Sequence, residues 1–132
     1  MVEQLMTDSE KLKYATTHEW VRLEESGELT VGISEHAQNL LGDVVFVEFP
    51  VLGKHINGNS ACMLLESVKA ASDIYMPVSG KIIGLNMELE DEPELINQDA
   101  YGAGWLFRVA PENILDIETL MSLAEYEESL NE

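Results

Sequence analysis

Apolar residues along this chain fall mostly in short runs cut by glycine, proline, asparagine and acidic residues, and only two stretches adopt the spacing of a helix face. Trp20-Val21-Arg22-Leu23 and Leu29-Thr30-Val31-Gly32-Ile33 bracket Glu25-Ser26-Gly27, which predicts a β-hairpin. Val44-Val45-Phe46-Val47-Glu48-Phe49 is rich in β-formers and stops at Pro50. Further strands are predicted near Cys62–Leu65, Asp73–Met76, Lys81–Leu85 and Trp105–Val109, separated by Pro77, Gly80, Pro93, Gly102 and Gly104. Asn57-Gly58 predicts a tight turn, because both residues tolerate positive φ. Short strands at close spacing, without long helices between them, predict a sandwich or flattened barrel rather than βαβ units.

The helical exceptions are brief. Ser34 can cap a helix carrying Ala37, Leu40 and Leu41, which Gly42 would end in the left-handed conformation. Near the end, Ile114, Ile117, Leu120 and Met121 recur at helical spacing, and Ser122 with Glu125 can form a capping box that restarts the helix. Residues 1–13 read as a loose leader. The 132-residue length then leaves 14–132 as a single domain, with an acidic helical tail from about residue 112.

Charge narrows the partners. Seven Lys plus Arg against 25 Asp plus Glu give −18, a field that repels phosphate backbones and anionic lipid surfaces, so no nucleic acid and no membrane partner is expected. Nothing approaches the roughly 20 apolar residues that span a bilayer. The start, with Glu3, Asp8 and Glu10, lacks the apolar block of a secretory signal. With one cysteine and therefore no internal disulfide, a bacterial, cytoplasmic protein is expected.

The chemistry concentrates between two predicted strands, in Glu66-Ser67-Val68-Lys69-Ala70-Ala71-Ser72-Asp73. Small residues at 67, 70, 71 and 72 would leave a β-turn uncluttered, with the Lys69 side chain projecting from its tip. Most exposed turn lysines are solvated charges. An accessible ε-amine at a fixed place on a protruding hairpin is also what cofactor-attaching enzymes require, and the product is a long arm able to visit several active sites. A Schiff-base lysine would instead need its pKa lowered by burial or neighbouring cations, and the neighbours here are Glu66 and Asp73.

Glu66-Ser67-Val68-Lys69-Ala70, followed by Ser72-Asp73, Pro77 and Gly80, resembles the lipoyl-lysine motif of glycine cleavage H proteins. His18-Glu19-Trp20-Val21, Val31-Gly32-Ile33, Ala37-Gln38 and Leu41-Gly42-Asp43-Val44-Val45-Phe46-Val47-Glu48 resemble the family upstream. Asn86, Pro93-Glu94-Leu95, Asn97 and Tyr101-Gly102 to Gly104-Trp105 continue it downstream. Ala100 departs from the family's usual proline, which removes a φ restraint from that loop. Met63-Leu64-Leu65 is bulkier than usual, which points to altered local packing.

The resemblance implies a mainly β, barrel-sandwich hybrid of the lipoyl-domain type: short antiparallel strands with a short internal helix and a C-terminal helical tail. It implies lipoate amide-linked to Lys69, with Glu66, Ser67, Val68, Ala70 and Asp73 forming the attachment motif. It further implies a non-enzymatic carrier that shuttles the aminomethyl group of glycine from glycine decarboxylase to aminomethyltransferase and is reoxidised by dihydrolipoyl dehydrogenase. Lipoyl-attachment enzymes would be further partners, and donation of lipoyl groups to other complexes is the alternative role. Thr17, His18, Glu19 and Asp73 are the implied contacts of the docked arm.

Rival chemistries fit less well. Biotin carriers place methionines on both sides of their lysine and acyltransferase lipoyl domains place aspartate before it, whereas this chain has Val68 and Ala70. His18, His36 and His55 share no metal-ligand spacing, so no metal is expected. Cys62, inside a predicted strand, reads as packing rather than a nucleophile. His18 and Trp20 read equally as strand packing or as neighbours of the arm. Gly102 and Gly104 form no nucleotide fingerprint.

Overall fold

The computed structural model describes residues 12–131. Most of the predicted leader therefore lies outside the described residues. Within its last two positions, Leu12 is buried and Lys13 pairs in β1 (Lys13–Tyr14).

The strands form two antiparallel sheets. The larger contains β1, β2 (Glu19–Leu23), β3 (Leu29–Ile33), β9 (Phe107–Pro111), β8 (Gly80–Leu85) and β5 (His55–Ile56), hydrogen-bonded in that order. The smaller has order β4-β6-β7, from Val44–Glu48, Ala61–Ser67 and Ala71–Tyr75. Neither sheet closes into a barrel by itself. Alternation along each strand sends one set of side chains between the sheets, where Val21, Val31, Val47, Leu65, Ile74, Ile82, Phe107 and Val109 make one apolar cluster. Met63 and Leu65 both enter that core, which accommodates the bulky run before Glu66.

Helix α1 (Glu35–Leu41) starts where the sequence places it, with the Ser34 hydroxyl accepting the Ala37 N–H at 3.1 Å. Gly42 ends it with φ 82° and ψ −164°, so the φ is positive as expected but the ψ is extended, a combination open essentially to glycine. The turn at Asn57-Gly58 also forms, but its positive φ of 67° falls on Asn59, while Ser60 N–H closes on the Asn57 carbonyl at 3.2 Å. Gly58 is needed for space, since a Cβ there would meet the Ser79 nitrogen at 3.1 Å.

Two four-residue helices, α2 (Glu88–Asp91) and α3 (Leu95–Gln98), occupy the acidic, proline-containing stretch that the sequence leaves as turns. Their anchors are Leu89 and Ile96, both fully buried. The tail is not one helix broken by a cap. Residues Ile114–Thr119 form a 3-10 helix, Met121 pairs with Tyr14 as a β-bridge, and α4 (Leu123–Leu130) begins at the capping box of Ser122 and Glu125. The three-residue spacing of Ile114, Ile117 and Leu120 suits the tighter 3-10 turn.

A second, smaller apolar cluster lies outside the main core: Leu12, Tyr14, Trp20 and Tyr126. Trp20 is fully buried there, donates its indole N–H to the Ala100 carbonyl at 3.0 Å and covers Gly32, where any Cβ would collide with the indole at 2.4 Å. That indole bond tethers the loop at Ala100 even without proline.

Candidate functional site

Strands β6 and β7 form a hairpin with Glu66 opposite Ala71, Leu65 opposite Ser72 and Leu64 opposite Asp73. Its turn, Ser67-Val68-Lys69-Ala70, is clamped by Ser67. The Ser67 N–H donates to the Ala70 carbonyl at 2.7 Å, while its hydroxyl accepts the Lys69 and Ala70 N–H groups at 3.2 and 3.0 Å. Serine here is thus a turn-former through its hydroxyl as well as a small residue. Val68, Lys69, Ala70 and Asp73 are exposed, as is Glu66 on β6. Neither Glu66 nor Asp73 makes an ion pair with Lys69 among the described residues.

The lysine does not simply stand in solvent. Its aliphatic stem leans over Gly42, where a Cβ would sit 2.9 Å from Lys69 Cε. The turn itself is held from the same side, by Val68 N–H donating to the Asp43 carbonyl at 3.0 Å. That Gly42-Asp43-Val44 shelf is in turn bracketed by Asn97 of α3. The Asn97 amide accepts the Val44 N–H at 2.9 Å and donates to the Gly42 carbonyl at 2.8 Å and to Gln38 at 3.0 Å. Sequence reasoning quoted Asn97 and Gly42 only as motif members. No local signal could reveal a side-chain amide acting on backbone more than 50 positions away.

Beside the hairpin opens a cleft of about 250 Å³ lined by Thr17, His18, Ile33, Leu40, Leu41 and residues 70–74. Thr17, His18 and Asp73, three of the four arm contacts implied by the sequence, therefore face one cavity next to Lys69. Glu19 is not among the lining residues. It is 1% exposed, with Oε1 accepting the Thr17 hydroxyl and Oε2 the Tyr75 N–H at 3.0 Å. Burial pushes its carboxyl above the ordinary carboxylate range despite these donors.

His18 holds φ 80°, and its Nδ1 lies 2.7 Å from the Tyr126 hydroxyl, which also sits 2.7 Å from Ser34 Oγ. Burial, with His36 close by, pushes His18 below the usual histidine value. Tyr126 links the tail helix to the cleft wall, and its position in an acidic segment offered no sign of that. Cys62 donates to the Ile74 carbonyl at 3.4 Å, and burial with the nearby Glu19 carboxylate pushes its thiol up to about 12, far from a thiolate nucleophile. Among the described residues no group of three or more His, Cys, Asp or Glu is placed to hold a metal. No helix there is long and apolar enough to cross a membrane.

Against known families, residues 12–132 match the model of the glycine cleavage H-protein. The chain belongs to that family. Its members are the lipoyl-bearing carriers of the glycine cleavage system. The chain is 53% identical over 122 residues to a glycine cleavage system H protein from Shewanella loihica, covering 92% of this chain and 95% of that one. It is 55% identical over 120 residues to one from Psychrobacter cryohalolentis, with 91% and 95% coverage. The crystal structure of a glycine cleavage system H protein from Mycobacterium marinum superposes with a TM-score of 0.83 at 33% identity, covering 93% of this chain and 98% of that one. The mainly β, sandwich-like fold of the family is thus the fold of this chain.

Proposed function

We propose that this glycine cleavage H-family chain carries lipoate in amide linkage to the Lys69 ε-amine, within one carrier domain that takes in Leu12 and Lys13 along with residues 14–132, and works in the bacterial cytoplasm as a substrate rather than an enzyme. The observation that carries this reading is the geometry of Lys69: exposed at the tip of a turn that Ser67 clamps, on a shelf that Asn97 brackets, beside a cleft. These residues fit the group, because an attaching enzyme reaches the amine without unfolding the carrier.

Once attached, the dithiolane supplies the redox and aminomethyl-carrying chemistry. The chain's own residues position and protect. Exposed Leu40 and buried Leu41 give the cleft an apolar wall against which the arm can pack, and the exposed carboxylate of Asp73 at its rim suits a cationic amine. Thr17 contributes a hydroxyl at the cleft and is itself held by Glu19. His18, kept neutral by its environment near neutral pH, presents a ring that adds no positive charge to repel such an amine. Glycine decarboxylase, aminomethyltransferase, dihydrolipoyl dehydrogenase and the lipoyl-attachment enzymes are the partners this assignment requires.

Peptide mass spectrometry of the chain expressed with a lipoylation system tests the assignment. Lipoate on Lys69 alone, and not on Lys11, Lys13, Lys54 or Lys81, is expected. Lipoate on Lys81 instead, or biotin on Lys69, would overturn it.

A further inference from the structure

The run Val44-Val45-Phe46-Val47 cannot alternate simply between core and solvent, and the register of β4 on β6 shifts between Val44 and Phe46. Val44 and Val47 turn inward, 3% and 7% exposed, whereas the bulge leaves both Val45 and Phe46 outside, 55% and 51% exposed. A β-bulge that turns two successive apolar side chains to one face costs ladder regularity, and bulges concentrate where a side chain is re-aimed for use. Phe46 lies opposite Glu66, and Val44 opposite Ser67, so the strip adjoins the Lys69 turn. At that turn Val68 is 69% exposed, and its N–H donates to the Asp43 carbonyl.

Three large apolar side chains, each at least half exposed among the described residues, thus border the attachment lysine. Around them stand the exposed carboxylates of Asp43, Glu48 and Glu66, and within β4, the turn and β6–β7 the sole basic side chain is Lys69 itself. An apolar centre with an acidic rim complements a partner face that has an apolar pocket framed by Lys and Arg.

Reach decides which partner. Before any arm exists, the reacting amine extends only a four-carbon stem from the backbone. The enzyme that forms the amide must therefore press its active-site mouth onto whatever flanks the turn. Enzymes that act on the finished arm meet its far end and can stand further away. We propose that Val45, Phe46 and Val68 form the docking surface for the lipoyl-attaching enzyme, through an apolar contact ringed by acidic-to-basic pairs. This rests on the reading of Lys69 as the lipoylation site.

The test uses the full chain with an ATP-dependent lipoate ligase, which transfers the acyl group of lipoyl-adenylate to the Lys69 amine with release of AMP and a proton. Val68→Ser and Phe46→Ser are compared with Leu52→Ser, an exposed apolar residue away from the turn, 59% exposed. Each of the first two should lower kcat/KM for lipoylation at least tenfold, mainly through KM. Raised salt should raise KM for the unsubstituted chain, and Leu52→Ser should match that chain. Once driven to full loading, the variants should be reduced by dihydrolipoyl dehydrogenase run in reverse, with NADH supplying the two electrons, at the unsubstituted rate. Phe46→Ser is interpreted only if its Tm is retained; Val68→Ser, in an exposed turn, decides alone if it is not. Equal lipoylation rates for Val68→Ser and the unsubstituted chain would overturn the docking surface and leave Lys69 as the attachment site. An equal slowing with dihydrolipoyl dehydrogenase would overturn its assignment to the attaching enzyme. Failure of the unsubstituted chain to take lipoate at Lys69 would overturn the underlying reading and this inference with it.

Discussion

The carboxylate of Glu19, on a strand of the larger sheet, accepts the backbone N–H of Tyr75 on the edge strand of the smaller sheet at 3.0 Å. An edge N–H turned inward would otherwise be an unsatisfied donor, so a buried acid here joins the two sheets beneath the cleft. The arrangement stabilises the wall on which Thr17 and Asp73 stand, and it makes the join sensitive to protonation.

Burial raises the Glu19 pKa above its ordinary 4.5, the largest influence on it being desolvation. The folded chain therefore holds a proton that the unfolded chain has released at pH values from 4.5 up to the raised value. Stability from this group is present at low pH and declines as pH rises through that window. Glu19→Gln removes the dependence, so the difference in Tm between variant and unsubstituted protein should shift in the variant's favour between pH 5 and pH 8. Parallel Tm curves would refute this account of Glu19.

Asn97→Ala should lower Tm by roughly 10 °C, because it leaves the Val44 N–H and the Gly42 carbonyl without their partner, a loss of about 2–3 kcal/mol. Thermal unfolding followed by circular dichroism measures it. A shift of only a degree or two would mean that the shelf under Lys69 is held by other bonds.

Tyr126→Phe deletes the hydroxyl shared by His18 and Ser34, and should cost about 1–2 kcal/mol of stability by denaturant unfolding. In the unsubstituted protein His18 should titrate below 6.5 by proton NMR, because burial and the neighbouring His36 disfavour the charged ring. As pH falls from 6.5 through that lowered value, the folded state loses the stability it gains from a neutral His18. A His18 pKa above 6.5 would contradict the packing described.

Much of this architecture was legible because the signals were local. The Ser34 cap, the capping box of Ser122 and Glu125, the hairpin around Glu25-Ser26-Gly27 and the Lys69 turn each depend on neighbours a few residues apart. What escaped depends on distant partners. The helices α2 and α3 are single turns held by Leu89 and Ile96 entering the core, and Met121 leaves the helical pattern because Tyr14 offers it a backbone partner. At the site, the family motif pointed to Thr17, His18, Glu19 and Asp73 together. It could not tell that Glu19 turns away from the cleft to Tyr75, since pattern fixes which face a strand residue takes only when the opposing sheet is known.

Lys69→Arg separates attachment from folding. The Lys69 side chain is exposed and no carboxylate pairs with it among the described residues, so arginine can keep the positive charge and lay its own aliphatic stem across Gly42. The turn depends on backbone groups and the Ser67 hydroxyl, which the substitution leaves in place. Tm and the circular dichroism spectrum should therefore match the unsubstituted protein within a few degrees. A guanidinium, however, stays protonated and delocalised and does not attack an acyl donor to form the lipoyl amide. Intact-mass measurement after incubation with the ligase should show no added lipoate, and glycine-dependent carbon dioxide exchange with glycine decarboxylase should fall to background. Exchange retained by a folded Lys69→Arg protein would place the carrier chemistry elsewhere in the chain and end the assignment of Lys69.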